Sequence, residues 1–546
     1  MRFADPVTGK EFIGREKILR HLEKRASDLH HGYRHNIAML GPALIGKTSL
    51  LLHFLEGFHA PRTLTFYFEC HSGEPFDHFL NRFLNTFLYQ LLRQIQGAAP
   101  RDSGLLTERA KALIPKTVQE IETLRQGHRL SSTERFKRLL ELSSLFHREF
   151  RSALLLVLDE FDKLLELDVS EPFAHLGRQI MVQRQTMYLL ASSQVALADR
   201  ILKQKLNLLF GHFETILLGP LEAESSRRLL VLRWGLQELA PEFLEYLLLL
   251  AGNHPFYLNV LGEELQKVKS LVSQEDFFHR LERQLLNAQG TLAQYFNSLT
   301  ERLARHDRSG SLLFLLKTIA EGRYTAGALR CALKKHGGRG LPQKLERLVA
   351  LELLQQNGSF FFLKDPLFAF WLASCSPRSA ETFPSSLEDI SRSFHREMKE
   401  RFHRFLVSCG QEPIYKIQRL FESFQGEMVE VDRRKHRLPS FQKVVRMVGE
   451  GKGVYLEAQS EGGLWISAIH PQPLQEEEVR AFLDHCKRSS EKIQKKILIP
   501  LKGMDQNARL LAKESRLWTW ELPQLNFLFW VHGQDLILEA GSVKDG

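Results

Sequence analysis

The chain has 546 residues, 43% hydrophobic and 25% charged, with a formal net charge of +10. That length exceeds one core and, at roughly 150 residues per domain, calls for three or four; the composition is globular and excludes disordered or fibrous classes. The opening MRFADPVTGKEF lacks the apolar centre of a secretory signal, no apolar run reaches the roughly 18 residues that span a bilayer, and five scattered cysteines argue for a reducing, cytoplasmic setting and against zinc or a disulfide framework.

EFIGRE, residues 11–16, precedes an amphipathic stretch, and its Gly14 suits a turn before a helix as well as it suits a binding loop. Ile37 to Leu40 predicts a short buried strand. Gly41-Pro42-Ala43-Leu44-Ile45-Gly46-Lys47-Thr48 then fits G-x-x-x-x-G-K-[ST], and Ser49 to Leu55 continues as a helix. Glycines let successive backbone N–H groups turn toward a phosphate chain, and the helix adds its positive end. Lys47 is suited to the β- and γ-phosphates and the Thr48 hydroxyl to magnesium. Strand, loop and helix together predict a nucleoside triphosphate site.

Residues 63–70 alternate as a strand, and 75–96 form an aromatic-rich helix. Ala153 to Leu158 is a continuous apolar run, the pattern of a strand buried on both faces. It ends in Asp159-Glu160, where parallel sheets present ligands. Asp159 is the candidate magnesium ligand and Glu160 the candidate base for the attacking water. A further strand, 187–191, ends in Ser192-Ser193-Gln194, any of which could sense a γ-phosphate, with Ser193 preferred. Another, 213–218, ends in Gly219-Pro220-Leu221.

From 222 to about 268 the pattern is helical, broken at Gly252-Asn253-His254-Pro255, where glycine and proline end one helix and open the next. Residues 310–372 read as three short helices, the third running through LPQKLERLVALELLQQ, followed by an Asn357-Gly358 turn and a strand: a winged-helix order. Gln343, Lys344 and Arg347, with Arg339 ahead of them, either face a nucleic acid or form a solvated face. Residues 374–387 are a Ser/Pro-rich linker. Beyond lie strands at 444–448, 454–458, 464–469, 496–500 and 517–522, with helices at 393–407, 476–486 and 506–515. The basic run Arg433, Arg434, Lys435, His436, Arg437 suits either DNA or a solvated loop.

The order FIGRE, GPALIGKTSL, LLLVLDEFD, LLASSQ, GPL, GNHPFYL and Lys364-Asp365-Pro366 to Trp371 resembles the archaeal-type P-loop ATPases, related to AAA+ and STAND NTPases and to origin-recognition ATPases. The resemblance covers roughly residues 11–375. It implies an α/β fold with a RecA-like P-loop core (1–221), a helical lid (222–305) and a winged helix (306–375), with ATP and Mg2+ as ligands. It also implies that Gly14 and Arg15 lie by the adenine and ribose, and His254 and Pro255 on the lid side of the nucleotide. Where many relatives have Gly-Arg, this chain has Gly211-His212, which implies slow or partner-stimulated hydrolysis.

After a linker (376–390), residues 391–546 resemble a restriction-endonuclease-like α/β domain. Its active form needs an acidic residue on one strand and E-x-K on the next. Glu457 suits the first position, but Ala468 and His470 occupy the second set, so cleavage is not expected; Lys502 is a remote substitute. The resulting expectation is an ATPase switch coupled to DNA through Lys344, Arg347 and the basic run Arg433, Arg434, Lys435 and Arg437, with no membrane partner. A signalling scaffold that forms a homo-oligomer, and an ATP-dependent nuclease with an unusual site, are the rival readings.

Overall fold

The computed structural model describes residues 3–60, 62–127, 130–206, 213–267, 273–307, 309–322, 324–333, 340–374, 387–431, 434–448, 453–534 and 537. The chain divides into two compact units, residues 1–236 with 253–262, and residues 237–252 with 263–546.

The first unit is built on five strands: β1 (Ile37–Leu40), β2 (Thr63–Glu69), β3 (Ala153–Asp159), β4 (Thr186–Ser192) and β5 (Glu214–Leu217). Their order is β2-β3-β4-β1-β5, and every neighbouring pair is parallel. A parallel sheet needs cover on both faces, which explains the unbroken apolar runs. In β3, Leu154, Leu156 and Leu158 enter one core with Phe66, Phe68 and the long helix Phe76–Gln96. Ala153, Leu155 and Val157 enter the other, with Leu50, Leu51 and Phe54 of helix Lys47–Gly57. Each buried Leu or Phe contributes about 2 kcal/mol of transfer free energy. The strand order matters for the site. β4 separates β1 from β3, so the ends of three strands lie side by side, carrying the glycine loop, Ser192 and Asp159.

In the second unit, helices Pro241–Ala251, Gln274–Leu285 and Leu387–Cys409 share an aromatic seam. Phe402 stacks on Phe243 at 5.1 Å between ring centroids and meets Phe278 edge-on at 5.9 Å. Helix Leu387–Cys409, which the sequence pattern puts largely at the head of the last block, therefore packs on the helices that precede the linker. Residues 375–386 of that linker lie outside the described residues.

Helices Ser311–Ala320, Ala326–Leu333 and Leu341–Ala350 are followed by the hairpin β6 (Leu354–Asn357) and β7 (Phe360–Leu363). Here the sequence expectation is corrected. The third helix stops at Ala350 instead of running through Gln356, because Glu352 takes a left-handed φ of 61° and Leu354 to Asn357 pair with β7. Nor does the hairpin tip stand free. Asn357 clamps the backbone of Glu430 through two hydrogen bonds of 2.8 and 2.7 Å. Gly358, at φ +58°, lies so close to Met428 that a Cβ would sit 1.9 Å from its carbonyl oxygen. Phe360 and Phe362 are buried among Trp530, His532 and Phe527.

β8 (Met428–Val431) and β9 (Arg434–Arg437) form an antiparallel pair, so the basic run is a strand over its described part. β10 (Lys443–Val448), β11 (Val454–Ser460) and β12 (Gly463–His470) form an antiparallel meander. β13 (Ile493–Pro500) and β14 (Trp518–Thr519) continue it in parallel, after helices Glu476–Arg488 and Gln506–Glu514. The predicted strand at 517–522 shrinks to Trp518–Thr519, because Leu522–Val531 is a helix with Pro523 in its first turn. No helix among the described residues is long and apolar enough to cross a membrane.

Candidate functional site

The glycine loop turns between β1 and helix Lys47–Gly57 with two positive φ angles, 61° at Leu44 and 96° at Gly46. Such alternation points backbone N–H groups into one concavity, a cradle for an anion. Gly41 is required for another reason: a Cβ there would lie 2.4 Å from the Leu218 carbonyl at the end of β5. Ile45 is buried and anchors the loop, while Pro42 and Ala43 are exposed. Lys47 is buried, and its ammonium donates to the carbonyls of Gly41 at 2.9 Å and Pro42 at 3.0 Å. The cation is thus held across the mouth of the loop, where a phosphate oxygen could replace a carbonyl.

Thr48 and Asp159 come together although 111 residues separate them. The threonine hydroxyl donates to the Asp159 Oδ2 at 2.7 Å. Asp159 is fully buried at the end of β3, so its carboxylate must be satisfied. Tyr67 OH donates to the same oxygen at 2.9 Å, and the Glu160 N–H to Oδ1 at 3.0 Å. Burial, then the Asp159 charge, pushes the Tyr67 phenol well above its ordinary value, so it remains a donor. Hydroxyl and carboxylate, one from each side of the row of strand ends, form the ligand pair a hard divalent cation uses.

Glu160 leaves the strand at a left-handed φ of 51°. Its Oε2 accepts from Ser193 Oγ at 2.6 Å and Ser193 N at 3.1 Å. Burial raises its pKa, against the opposing pull of Lys47 and the bonds from Ser193. A carboxylate oriented by a hydroxyl and made more basic by desolvation can accept a proton from water. Ser193 therefore reaches Glu160 directly in this arrangement. Beside it, Ser192 bonds to Asp162, and Gln194 Nε2 donates to the other Asp162 oxygen at 3.0 Å.

Ser49 accepts from the Val7 N–H at 3.0 Å, and Phe12 stacks on His53 at 4.3 Å, so the N-terminal segment lies along the loop's helix. Gly14, at φ +84°, lets the backbone pass against Ser225 and Leu221. Arg15 donates to the carbonyls of Pro220 and Gly219, so its guanidinium is engaged with the GPL box. His254 is brought to the loop: its ring makes a hydrogen bond to the Ala43 backbone and stacks on Tyr257 at 4.3 Å. Burial, opposed by that bond, lowers its pKa to about 3, which keeps the ring neutral, and its Nδ1 has no partner among the described residues. Pro255 faces Gly46, where an added Cβ would lie 3.9 Å from the Pro255 Cγ, in ordinary contact.

Tyr67 and Asp162 were not singled out from sequence, whereas Gln194 was one of three candidate γ-phosphate sensors and bonds to Asp162 instead. The signal for Tyr67 lay in the alternation of β2, which turns it to the face shared with Asp159. Gly211 and His212 lie outside the described residues, as do Arg339 and Arg433.

In the second unit, Glu457 pairs across the ladder with Ile466, and Tyr455 with Ala468, so Glu457, Ile466 and Ala468 share one face. That face is covered by Phe482 and Cys486 of helix Glu476–Arg488. Glu457 meets His485 at 3.6 Å. Ala468 is fully buried, and the His470 ring lies over Gly453, where a Cβ would be 2.6 Å from it. Among the described residues, Glu457 belongs to no group of three or more metal-binding side chains.

On helix Leu341–Ala350, Leu341, Leu345 and Leu348 are buried, Gln343 and Arg347 exposed and Lys344 half-buried. On β9, Lys435 and Arg437 are exposed, while His436 lies against Trp518 at 4.3 Å.

Residues 11–190 match the profile of the AAA ATPase domain. The fold is also that of the Walker-type ATPase of Pyrococcus abyssi (TM-score 0.50, 20% identity, 68% of this chain and 99% of that one). Weaker likenesses reach the ORC2 protein of Aeropyrum pernix in ADPNP–ADP complexes (TM-score 0.44, 17% identity, 73% and 98%). Another is the STAND protein with a tetratricopeptide repeat sensor from Pyrococcus horikoshii (TM-score 0.30, 13% identity, 77% and 51%). No curated protein sequence matches the chain. Over the residues that build the glycine loop, Asp159 and Glu160, the chain is thus similar to an AAA ATPase domain on an α/β P-loop fold.

Proposed function

We propose that this chain is an ATP-dependent switch whose first unit binds and hydrolyses ATP with Mg2+ and whose second unit engages DNA. The observation that carries the reading is the Thr48–Asp159 hydrogen bond of 2.7 Å, made beside a buried Lys47 in a loop of alternating φ. When bound, Mg2+ neutralises phosphate charge and orients the γ-phosphate for attack. Thr48 and Asp159 would hold that ion, and Tyr67 keeps the Asp159 carboxylate aimed. Lys47 exchanges its loop carbonyls for phosphate oxygens. Glu160, placed by Ser193, takes the proton from the attacking water. With His212 where relatives have arginine, hydrolysis is slow unless a partner supplies a cation.

The helical triplet and hairpin serve as a winged helix whose tip is plugged against β8, so contact with DNA falls to the helix carrying Lys344 and Arg347. The meander and its parallel strands serve as a nuclease-like fold without cleavage. The test is isothermal titration calorimetry of the full chain with ATP and Mg2+. Wild type should bind and Lys47→Ala should bind at least a hundredfold more weakly; equal affinity would discard the nucleotide-site assignment.

A further inference from the structure

Within the second unit, two helices place three metal-binding side chains around one point. His279 and Glu282 stand three residues apart on helix Gln274–Leu285, hence on one face. His395 reaches the same point from helix Leu387–Cys409. His395 Nε2 lies 2.8 Å from Glu282 Oε2, and His279 Nδ1 lies 3.2 Å from that same oxygen. The imidazole centroids lie 4.5 Å apart with the rings tilted by 59°, and all three ligand atoms fall within 4.8 Å of one another. In a tetrahedral zinc site, bonds of about 2.0–2.1 Å set ligand atoms roughly 3.3 Å apart. Two of the separations already match, and a small rotation of the exposed His279 ring closes the third.

We infer that His279, Glu282 and His395 form a zinc site that staples helix Leu387–Cys409 to helix Gln274–Leu285. The donor set chooses the metal. Two neutral imidazoles and one carboxylate suit a borderline cation such as zinc, whereas magnesium and calcium prefer oxygen alone. The fourth position opens to solvent, because the His279 side chain is 64% exposed while Glu282 and His395 are 20% and 18% exposed. A water there completes the shell. The Ser391 hydroxyl hydrogen-bonds the Glu282 carboxylate and orients it from the second helix, the support that ligating carboxylates commonly have. Without metal, the aromatic seam of Phe402 with Phe243 and Phe278 already joins these helices. Zinc adds a fastening that depends on its concentration. The scatter of the cysteines, which speaks against thiolate zinc sites, has no bearing on a histidine–carboxylate one.

The experiment is competitive zinc titration of the chelator-stripped full chain against a chromophoric chelator, with excess Mg2+ present to occupy the loop site. Wild type should take up one zinc at submicromolar concentration, and cobalt in its place should give the visible absorption of a tetrahedral ion. His279→Ala, which alters an exposed side chain and leaves the seam intact, should weaken zinc affinity at least tenfold. His395→Gln, which keeps a hydrogen bond to Glu282, should do the same. Wild-type affinity in both variants, or no zinc uptake by wild type, would leave a histidine–glutamate hydrogen-bond cluster and overturn the site.

Discussion

The two sheets of this protein both carry acidic side chains and surround them differently. In the first, Asp159 and Glu160 stand at a strand end with polar partners: both Asp159 oxygens are engaged by Thr48, Tyr67 and a backbone N–H, and Glu160 Oε2 by Ser193. In the second, Glu457 lies within β11, opposite Ile466, beneath a helix face that carries Phe482 and Cys486, with His485 at 3.6 Å. Burying a carboxylate without a polar shell is costly, and the shell is what converts the charge into a ligand site. Chemistry follows the partners assembled around an acidic residue and not the residue alone.

The largest expected effect lies in the first sheet. Glu160→Gln keeps the bond with Ser193 within reach but removes the base, so ATP turnover should fall about 10²–10⁴-fold while ATP affinity stays near wild type. A turnover unchanged by this substitution would assign the base elsewhere. Because burial raises the Glu160 pKa, wild-type turnover should also decline on acidification at a higher pH than an ordinary glutamate would give. In the second sheet the contrast predicts silence. Supercoiled plasmid should remain uncut with Mg2+ and ATP, and Glu457→Ala should change nothing in that assay. Ala468→Glu with His470→Lys supplies the missing carboxylate and lysine, and nicking by that double variant would show that the scaffold alone was adequate. Cleavage by wild type that vanishes in Glu457→Ala would make the two sheets alike after all.

Much of the first site was legible because its parts are contiguous in sequence: a loop of fixed spacing, and an apolar run ending in Asp159-Glu160. The Thr48–Asp159 pairing depends on strand order, which sets the ends of β1 and β3 on either side of β4. Tyr67 escaped notice because a tyrosine in a strand usually packs, and only the register of β2 against β3 turns its hydroxyl onto Asp159. In the second unit, local pattern and tertiary context disagree more often. Leu354 to Asn357 continues a helical pattern, yet pairing with β7 overrides it. Arg434 to Arg437 suggests a solvated loop by charge, yet β8 captures the backbone as a strand. His279, Glu282 and His395 are 116 residues apart from first to last, a separation that no spacing rule joins.

A smaller effect distinguishes His254. Its folded-state pKa of about 3 lies below the unfolded value of about 6.5, so the unfolded chain gains the proton first as pH falls. The stability it contributes is fully present above pH 6.5 and is lost on acidification toward 3. The loss is on the order of 2 kcal/mol by pH 5. Urea unfolding at pH 7 and pH 5 should therefore show a larger drop for wild type than for His254→Asn, which cannot titrate. Equal drops would mean that burial does not hold the folded-state pKa of this ring below its unfolded value.

The smallest expected effect tests the exposed face of helix Leu341–Ala350. The hairpin tip is held against Met428 and Glu430, which removes the wing as an independent contact. Whatever phosphate contact this module makes then rests on side chains such as the half-buried Lys344 and the exposed Arg347, which flank the buried Leu341, Leu345 and Leu348. Each duplex phosphate neutralised by such a side chain releases condensed counterions and adds about 0.9 to the slope of log affinity against log salt. Changing both to glutamine should flatten that slope by roughly 1.8 and weaken binding alike for unrelated duplex sequences, because phosphate contacts position a protein without reading bases. A slope equal to wild type would mean that this helix presents a solvated face, and would leave Lys435 and Arg437 on β9 as the remaining described cations of the proposed DNA surface.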